Sequence, residues 1–237
     1  TIGVGIALLA ESLYLHDLAP QPFREVTLLQ EALAIFQATR ERRLQLWAQQ
    51  CLGEALCNAG ARDQGLATLR QAVQRAPALG QPLLVTESRA SLADLLVHSR
   101  EPAYADEAEA IAKELIDGGP IDATAGAGNG LRGSALLILA GVLLQRGEWG
   151  PAEEQAHQAY HLLEGRPLRQ IAAQTLMVRA LLAAKRYAEA SVQADALQHV
   201  MDSWGGAGQP EVAARVAIAE AFEADGDVPG ARKSLDL

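Results

Sequence analysis

The sequence predicts an all-α solenoid, a stack of helix pairs in which each pair buries its apolar face against its neighbours. Three observations predict it: a motif that recurs about every forty residues, a second rhythm of small and large residues, and glycines between the two. Of the 237 residues, 49% are hydrophobic but only 4% are aromatic. This composition is typical of helices that pack through alanine and leucine.

The recurring motif marks the first helix of each pair. It consists of a large apolar residue, a small residue directly after it, and a second large residue three positions later. Its copies are Leu9-Ala10-x-x-Leu13, Leu52-Gly53-x-x-Leu56, Leu92-Ala93-x-x-Leu96, Leu139-Ala140-x-x-Leu143, Met177-Val178-x-x-Leu181 and Ile218-Ala219-x-x-Phe222. Successive copies lie 43, 40, 47, 38 and 41 residues apart. We therefore expect a single domain, 1–237, with repeats 1–43, 44–82, 83–130, 131–166, 167–209 and 210–237, the last of them truncated.

The second helices carry small and large residues in steps of four and three, which places each set on one helical face. These second-helix sets are Gly65/Leu69/Ala72, Ala108/Ala112/Leu115, Ala152/Ala156/Ala159 and Ala190/Ala194/Leu197. Small residues on such a face allow two helices to approach closely. In the turns between paired helices, Gly60, Gly147 and Gly226 suit the left-handed residue that ends a helix.

This pattern resembles the tetratricopeptide repeat (TPR) over nearly the whole chain. It departs from the family in its units of about forty rather than 34 residues, and in first helices that carry mostly Leu, Ile and Gln where the consensus has tryptophan and tyrosine. The resemblance implies a right-handed solenoid that binds proteins or peptides in a concave groove, without cofactor or catalysis. Longer units are similar to those of bacterial regulatory proteins, including arrays attached to serine/threonine kinases and the sensor regions of large ATPase-type transcription activators.

The TPR resemblance also implies which first-helix residues face the groove. They are Glu11, Tyr14, Trp47, Gln50, Glu54, Asn58, Glu87, Asp94, His98 and Arg179, together with Leu137 and Gln145 in the fourth unit, Thr175 in the fifth, and Glu220 and Glu223 in the last. Six carboxylates against one arginine favour a partner segment with Lys or Arg flanked by apolar groups. The paired lysines and asparagines with which chaperone-type members clamp a C-terminal carboxylate are missing. Two alternatives stay open: the carboxylates only keep an exposed face soluble, and Trp47 packs between units.

We therefore expect a non-catalytic protein- or peptide-binding regulatory module within a larger cytoplasmic bacterial signalling protein. The alternative is a small-molecule effector-sensing domain of a transcription regulator. A closed cavity near Trp47 and Asp94 would favour a metabolite, and an open trough would favour a peptide. The oligomeric state stays open, because a solenoid cut within a repeat exposes an apolar face that can self-associate.

Charge and composition argue against several other functions. The net charge is −9, and the densest cationic cluster is Arg40, Arg42 and Arg43, which we interpret as a solvated helix end. Nucleic-acid binding requires several convergent basic side chains, as does membrane attachment through basic patches, so neither is expected. Cys51 and Cys57 lie on one predicted helix, unable to bridge, which fits a reducing cytoplasm. Without an initiating Met, we expect the chain to be a piece of a longer protein.

Two sequence features could carry other chemistry. Gly128-x-Gly130-x-x-Gly133 matches a dinucleotide-binding fingerprint, but no strand precedes it, so we predict a flexible loop from Asp117 to Gly133. A second predicted loop covers residues 205–210. Glu153, His157 and His161 are spaced by four and could hold Zn²⁺. We instead expect them on the outer wall of the array, without the buried supporting groups that a metal site needs.

Overall fold

The structure is a computed structural model that describes residues 1–17, 21–99, 101–118, 127–204, 208 and 210–235. Within these ranges the chain forms twelve α-helices and one short 3-10 helix, and no strand. They are α1 (Ile2–Asp17), α2 (Pro22–Thr39), α3 (Arg42–Asn58), α4 (Arg62–Arg75), the 3-10 helix (Ala76–Leu79), α5 (Pro82–His98), α6 (Pro102–Gly118), α7 (Ala127–Gln145), α8 (Trp149–Leu162), α9 (Pro167–Ala183), α10 (Tyr187–Trp204), α11 (Glu211–Asp225) and α12 (Val228–Leu235). The predicted all-α class is confirmed.

Consecutive helices pack as antiparallel pairs, such as α1 with α2, α3 with α4, α7 with α8, α9 with α10, and α11 with α12. The described residues form two compact units, residues 1–107 and residues 108–235. The first unit contains α1 to α5 and the start of α6, and the second contains the rest of α6 and α7 to α12. The repeat boundaries predicted from the sequence stay a prediction.

Each unit has a core of its own. In the first unit, Leu29 and Phe36 of α2 are fully buried and pack with Ala48 of α3. In the second unit, Leu197 of α10 and Ile218 of α11 are likewise fully buried in one cluster. Each such large side chain stabilises the fold by about 1.5–3 kcal/mol through the apolar surface that it removes from water. None of the helices in the described ranges combines the length and hydropathy that crossing a bilayer requires.

The paired helices α3 and α4 approach each other closely at two glycines. Both Gly53 of α3 and Gly65 of α4 are buried. A Cβ on Gly65 would lie 2.6 Å from the carbonyl oxygen of Gly53 and would overlap the Sγ of Cys57. A Cβ on Gly53 would lie 2.6 Å from the Cγ of Leu69. The second-helix sets are buried as predicted, apart from the half-buried Leu115.

Four of the pairs are joined by the same kind of turn. Gly60, Gly147 and Gly226 have φ values of 88°, 80° and 93°, and Lys185 occupies the equivalent place with a φ of 60°. In each turn the left-handed residue donates its N–H to the carbonyl three residues earlier, and the next residue donates to the carbonyl five residues earlier. These bonds satisfy carbonyl groups that the helix end leaves without partners. The prediction of left-handed glycines at these turns is confirmed.

The predicted loop from Asp117 to Gly133 is helical at both of its described ends. The helix α6 continues to Gly118 and α7 begins at Ala127, so the loop prediction was wrong at these residues. The reason is packing: a Cβ on Gly133 would lie 2.7 Å from the Cγ of Leu163 at the end of α8. The glycine therefore allows a close helix approach rather than a flexible backbone. Residues 119–126 lie outside the described residues, as does the second predicted loop apart from residues 208 and 210.

We expect Gly65→Ala to lower the free energy of unfolding by about 1–3 kcal/mol, because its Cβ would press on a backbone oxygen that cannot move alone. Urea denaturation followed by circular dichroism measures the change. The control is Gly3→Ala in α1, where a Cβ meets nothing within 4 Å, and it should be neutral or stabilise by up to about 1 kcal/mol. Equal stability of Gly65→Ala and the native chain would contradict the close crossing of α3 and α4.

We expect Lys185→Gly to raise the free energy of unfolding by about 0.5–1 kcal/mol, since glycine adopts the left-handed conformation without the strain of a Cβ. The matched control is the neighbouring Ala184→Gly, where φ is −77°. That change should destabilise by about 0.5–1 kcal/mol through backbone entropy. Thermal unfolding of both variants separates the two effects, and a destabilised Lys185→Gly protein would argue against the strain.

Candidate functional site

Nine of the residues predicted to face the groove lie in the first unit. Glu11 and Tyr14 belong to α1, Trp47, Gln50, Glu54 and Asn58 belong to α3, and Glu87, Asp94 and His98 belong to α5. The others belong to the second unit, among them Arg179 of α9 and Glu220 and Glu223 of α11. The nine residues of α1, α3 and α5 form the candidate site in one compact unit, and we call them the first-helix set.

Three carboxylates of this set occupy the same position in their helices. Glu11, Glu54 and Asp94 each directly follow the small residue of the first-helix motif, and all three are half-buried. Arg179 has the corresponding position in α9 and is half-buried as well. A half-buried charge lies in a lower effective dielectric than open water, so it attracts an opposite charge more strongly. The repeat thus places a carboxylate at one equivalent level in three helices of the first unit.

The polar residues of α3 lie on one helical face, because Trp47, Gln50, Glu54 and Asn58 are separated by three and four positions. This face is exposed at its ends and buried in between. Trp47 is 44% exposed although the next three residues are buried, and Asn58 is exposed. Gln50 is only 6% exposed, and its Nε2 donates to the Oγ of Ser88 at 2.5 Å. Gln50 therefore joins α3 to α5, while the ring of Trp47 reaches solvent.

The face of α5 carries Glu87, Asp94 and His98, separated by seven and four positions. Glu87 and His98 are exposed. The Nδ1 of His98 lies 2.6 Å from the backbone carbonyl oxygen of Asp94, one turn earlier. This contact ties the imidazole to its own helix at the end of α5. The residues of α5 thus present one carboxylate and one imidazole at the surface, with the second carboxylate partly sheltered.

The α1 residues differ in their surroundings. Tyr14 is 57% exposed, which makes it a second aromatic ring at the surface of a first helix. The carboxylate of Glu11 forms an ion pair with the guanidinium of Arg24 in α2, so part of its negative charge is already balanced. An apolar partner group can therefore reach Tyr14 more readily than Glu11. An arginine of the partner would have to displace Arg24 from the Glu11 carboxylate.

The carboxylate of Glu54 also acts on a neighbouring cysteine. Cys57 is free and half-buried, and its burial raises the pKa of the thiol. The cation of Arg62 lowers that pKa, and the nearby Glu54 carboxylate raises it. A thiol with a raised pKa is a poor nucleophile, so Cys57 is suited to packing beside Gly65 rather than to chemistry.

The three residues that the sequence suggests as possible zinc ligands, Glu153, His157 and His161, make other contacts in the structure. The Glu153 carboxylate forms an ion pair with Arg186, which also binds Glu189 at 2.6 Å. His157 and His161 are exposed and pack edge to face, with ring centroids 4.7 Å apart. In the described part of the chain, no three His, Cys, Asp or Glu side chains are placed to share a metal ion. Glu153 thus links α8 to the start of α10.

Sequence reasoning missed a further set of polar residues. Arg42, Gln49 and Arg75 line a common cleft in the first unit, at the end of the helices away from the α3–α4 turn. The sequence separates these residues by up to 33 positions, and no short motif contains them. The cationic cluster around Arg42 was the one available signal, and it was interpreted as a solvated helix end.

Comparison with known proteins identifies the fold. No family model matches the chain, and no curated protein matches its sequence. Solved structures match it: a kinesin-light-chain-type protein of Podosopora anserina with nearly identical TPR-like repeats has a TM-score of 0.57 and 17% identity, over 84% of this chain and 96% of that chain. BtubC (BKLC) of P. vanneervenii has a TM-score of 0.56 and 16% identity, over 99% of this chain and 87% of that chain. The fold is TPR-like.

This TPR-like fold confirms the fold class that the sequence predicts, namely helix-turn-helix repeats of the TPR type. A single-residue variant of the Podosopora anserina protein gives the same result, with a TM-score of 0.56 and 17% identity over 86% of this chain and 95% of that chain. At such low identity the likeness establishes the architecture alone. The bacterial regulatory subtype and the groove residues stay predictions.

We expect Gln50→Ala to lower the free energy of unfolding by about 1–3 kcal/mol, because it removes a buried hydrogen bond between α3 and α5. Asn58→Ala on the same helical face should change it by less than about 0.5 kcal/mol, since Asn58 is exposed. Urea denaturation of the two variants provides the comparison. If Gln50→Ala were as stable as the native chain, the bond to Ser88 would not hold the two helices together.

Proposed function

We propose that this TPR-like chain is a protein- or peptide-binding module, and that the first-helix set of its first unit binds the partner. The partner segment carries Lys or Arg flanked by apolar side chains. The observation that carries the proposal is the exposed ring of Trp47 on the same α3 face as the half-buried Glu54 carboxylate. Tryptophan is enriched among the residues that contribute most of the binding energy at protein interfaces.

The two kinds of side chain contribute in different ways. Covering the exposed part of Trp47 would remove on the order of 100 Å² of surface from water, worth about 2.5 kcal/mol before the entropy cost of binding. The carboxylates of Glu54 and Asp94 attract a basic partner and select against an acidic one. An apolar contact thus supplies affinity, and the repeated carboxylates supply specificity and orientation.

We further propose that the module acts within a larger cytoplasmic bacterial signalling protein, where it presents this surface without chemistry of its own. The units of about forty residues support this context, because they resemble the long units of arrays in bacterial regulators. TPR-like folds generally serve as scaffolds for protein partners, which supports the class of partner.

A displayed library of seven-residue segments, selected on the native chain, tests the proposed specificity. We expect the selected segments to be enriched in Lys or Arg next to apolar residues, because those groups complement the carboxylates and the Trp47 ring. Glu54→Arg should weaken binding of a selected peptide at least about tenfold, equivalent to about 1.4 kcal/mol. Fluorescence anisotropy of the labelled peptide measures the affinity.

The matched control is Glu31→Arg, which makes the same charge change at an exposed position of the second helix α2. It should alter the affinity less than about twofold at physiological salt, where charges beyond a Debye length of about 8 Å are screened. Selection of acidic segments would refute the proposal. Equal weakening by Glu31→Arg and Glu54→Arg would show that net charge, rather than this surface, attracts the peptide.

A further inference from the structure

A cleft of about 520 Å³ opens in the first unit where three helix ends meet. It lies between the end of α2, the start of α3 and the end of α4, with the 3-10 helix forming one side. Two arginines, Arg42 and Arg75, line it together with the amides of Gln45 and Gln49. Among the described residues, no Asp or Glu lines this cleft. In a chain of net charge −9, this is a locally cationic site.

One wall of the cleft is fixed by hydrogen bonds. Gln49 is 4% exposed, and its Nε2 donates to the carbonyl oxygen of Thr68 at 3.3 Å. Its Oε1 accepts a hydrogen bond from Nη1 of Arg75 at 3.0 Å, which positions that guanidinium. Gln45 is held by a 2.8 Å bond from its Nε2 to the carbonyl oxygen of Phe36. Side chains that are already ordered lose little entropy when a ligand binds.

The second guanidinium, that of Arg42, makes no hydrogen bond or ion pair with another side chain in the part of the chain that the structure describes. Arg75 uses one of its N–H donors on Gln49, and a guanidinium has five. Both arginines are exposed, so an anion can reach them from solvent. The planar donors of arginine suit carboxylate and phosphate oxygens.

The remaining lining is apolar. Leu46 of α3 is 3% exposed, and Ala78 and Leu79 belong to the 3-10 helix. A ligand that places an anionic group on the arginines would therefore meet aliphatic surface beside it. The volume lies within the range of about 300–1,000 Å³ that is common for small-molecule sites.

We propose that this cleft binds a small organic anion, in which a carboxylate or phosphate group is joined to a short branched apolar group. The site is separate from the first-helix set and shares no residue with it. It gives physical support to the effector-sensing alternative, although neither Trp47 nor Asp94, the residues around which the sequence placed a metabolite cavity, lines it.

Isothermal titration of the full chain with three probes tests the site. Isocaproate and isopentyl phosphate carry the same branched chain with the two anionic groups, and 4-methylpentanamide is the neutral counterpart. We expect at least one anion to bind at least about tenfold more tightly than the amide. Whichever of the two anions binds more tightly shows whether the anionic group that the cleft prefers is a carboxylate or a phosphate ester. Inorganic phosphate, which lacks the apolar group, should bind at least about tenfold more weakly than that anion.

Variants locate the binding. Arg42→Gln removes a guanidinium that makes no side-chain bond, so the chain should fold as the native protein does and bind the anion at least about tenfold more weakly. Arg75→Gln should have a similar effect, with folding checked by circular dichroism. The control is Arg62→Gln at the other end of the 14-residue α4, about 20 Å away, which should leave the affinity unchanged.

Three results would overturn the proposal. One is that neither organic anion binds at concentrations up to about 20 mM, which corresponds to a standard free energy near −2 kcal/mol. Another is that the amide or inorganic phosphate binds as tightly as the better anion. The third is that Arg42→Gln keeps the native affinity, which would place any bound anion elsewhere. None of these results bears on peptide binding, because Arg42 does not belong to the first-helix set.

Discussion

The close approach of two backbones at glycine is the constraint on which the α3–α4 pair, and with it the candidate site on α3, depends. Where α3 crosses α4, neither Gly53 nor Gly65 leaves room for a Cβ, so the larger Leu69 can fill the space beside the crossing. The apolar side of α3 is buried in this contact. A neighbouring face of α3 carries polar and aromatic residues, with Trp47 at the surface, Glu54 half-buried and Gln50 buried against α5. The candidate binding residues therefore lie beside the packing contacts of the same helix.

The turn at the end of the first helix fixes the register of the pair. A left-handed residue reverses the chain and satisfies the last carbonyl groups, so the second helix starts at a constant distance from the small residue. In α3–α4, α7–α8, α9–α10 and α11–α12 the left-handed residue lies about two turns after the small residue of the motif, so Glu54 and Arg179 occupy the same level of α3 and α9. Lys185 shows that the geometry is required even where glycine is missing, since it adopts a φ of 60° in the same kind of turn.

Local periodicity made the helices, the small-residue crossings and the turns predictable, because each depends on residues a few positions apart. Gly133 was misinterpreted because a glycine in a loop and a glycine at a close helix crossing look alike in sequence. Gln50 shares a helical face with Trp47, and only the position of α5 decides that one is buried and the other exposed. The cleft with Arg42 and Arg75 could not be predicted, because its lining comes from separate helices that only the fold brings together.

Binding at the first-helix set is tested most directly by whether a bound peptide contacts Trp47. The indole N–H signals of ¹⁵N-labelled protein can be assigned with a Trp47→Phe variant and followed during titration with a peptide from the displayed library. We expect the Trp47 signal to shift until the peptide saturates the protein, while the signal of Trp149, whose ring packs on Gly147 in the α7–α8 turn, stays in place. Saturable peptide binding with an unchanged Trp47 signal would contradict the first-helix set as the binding surface.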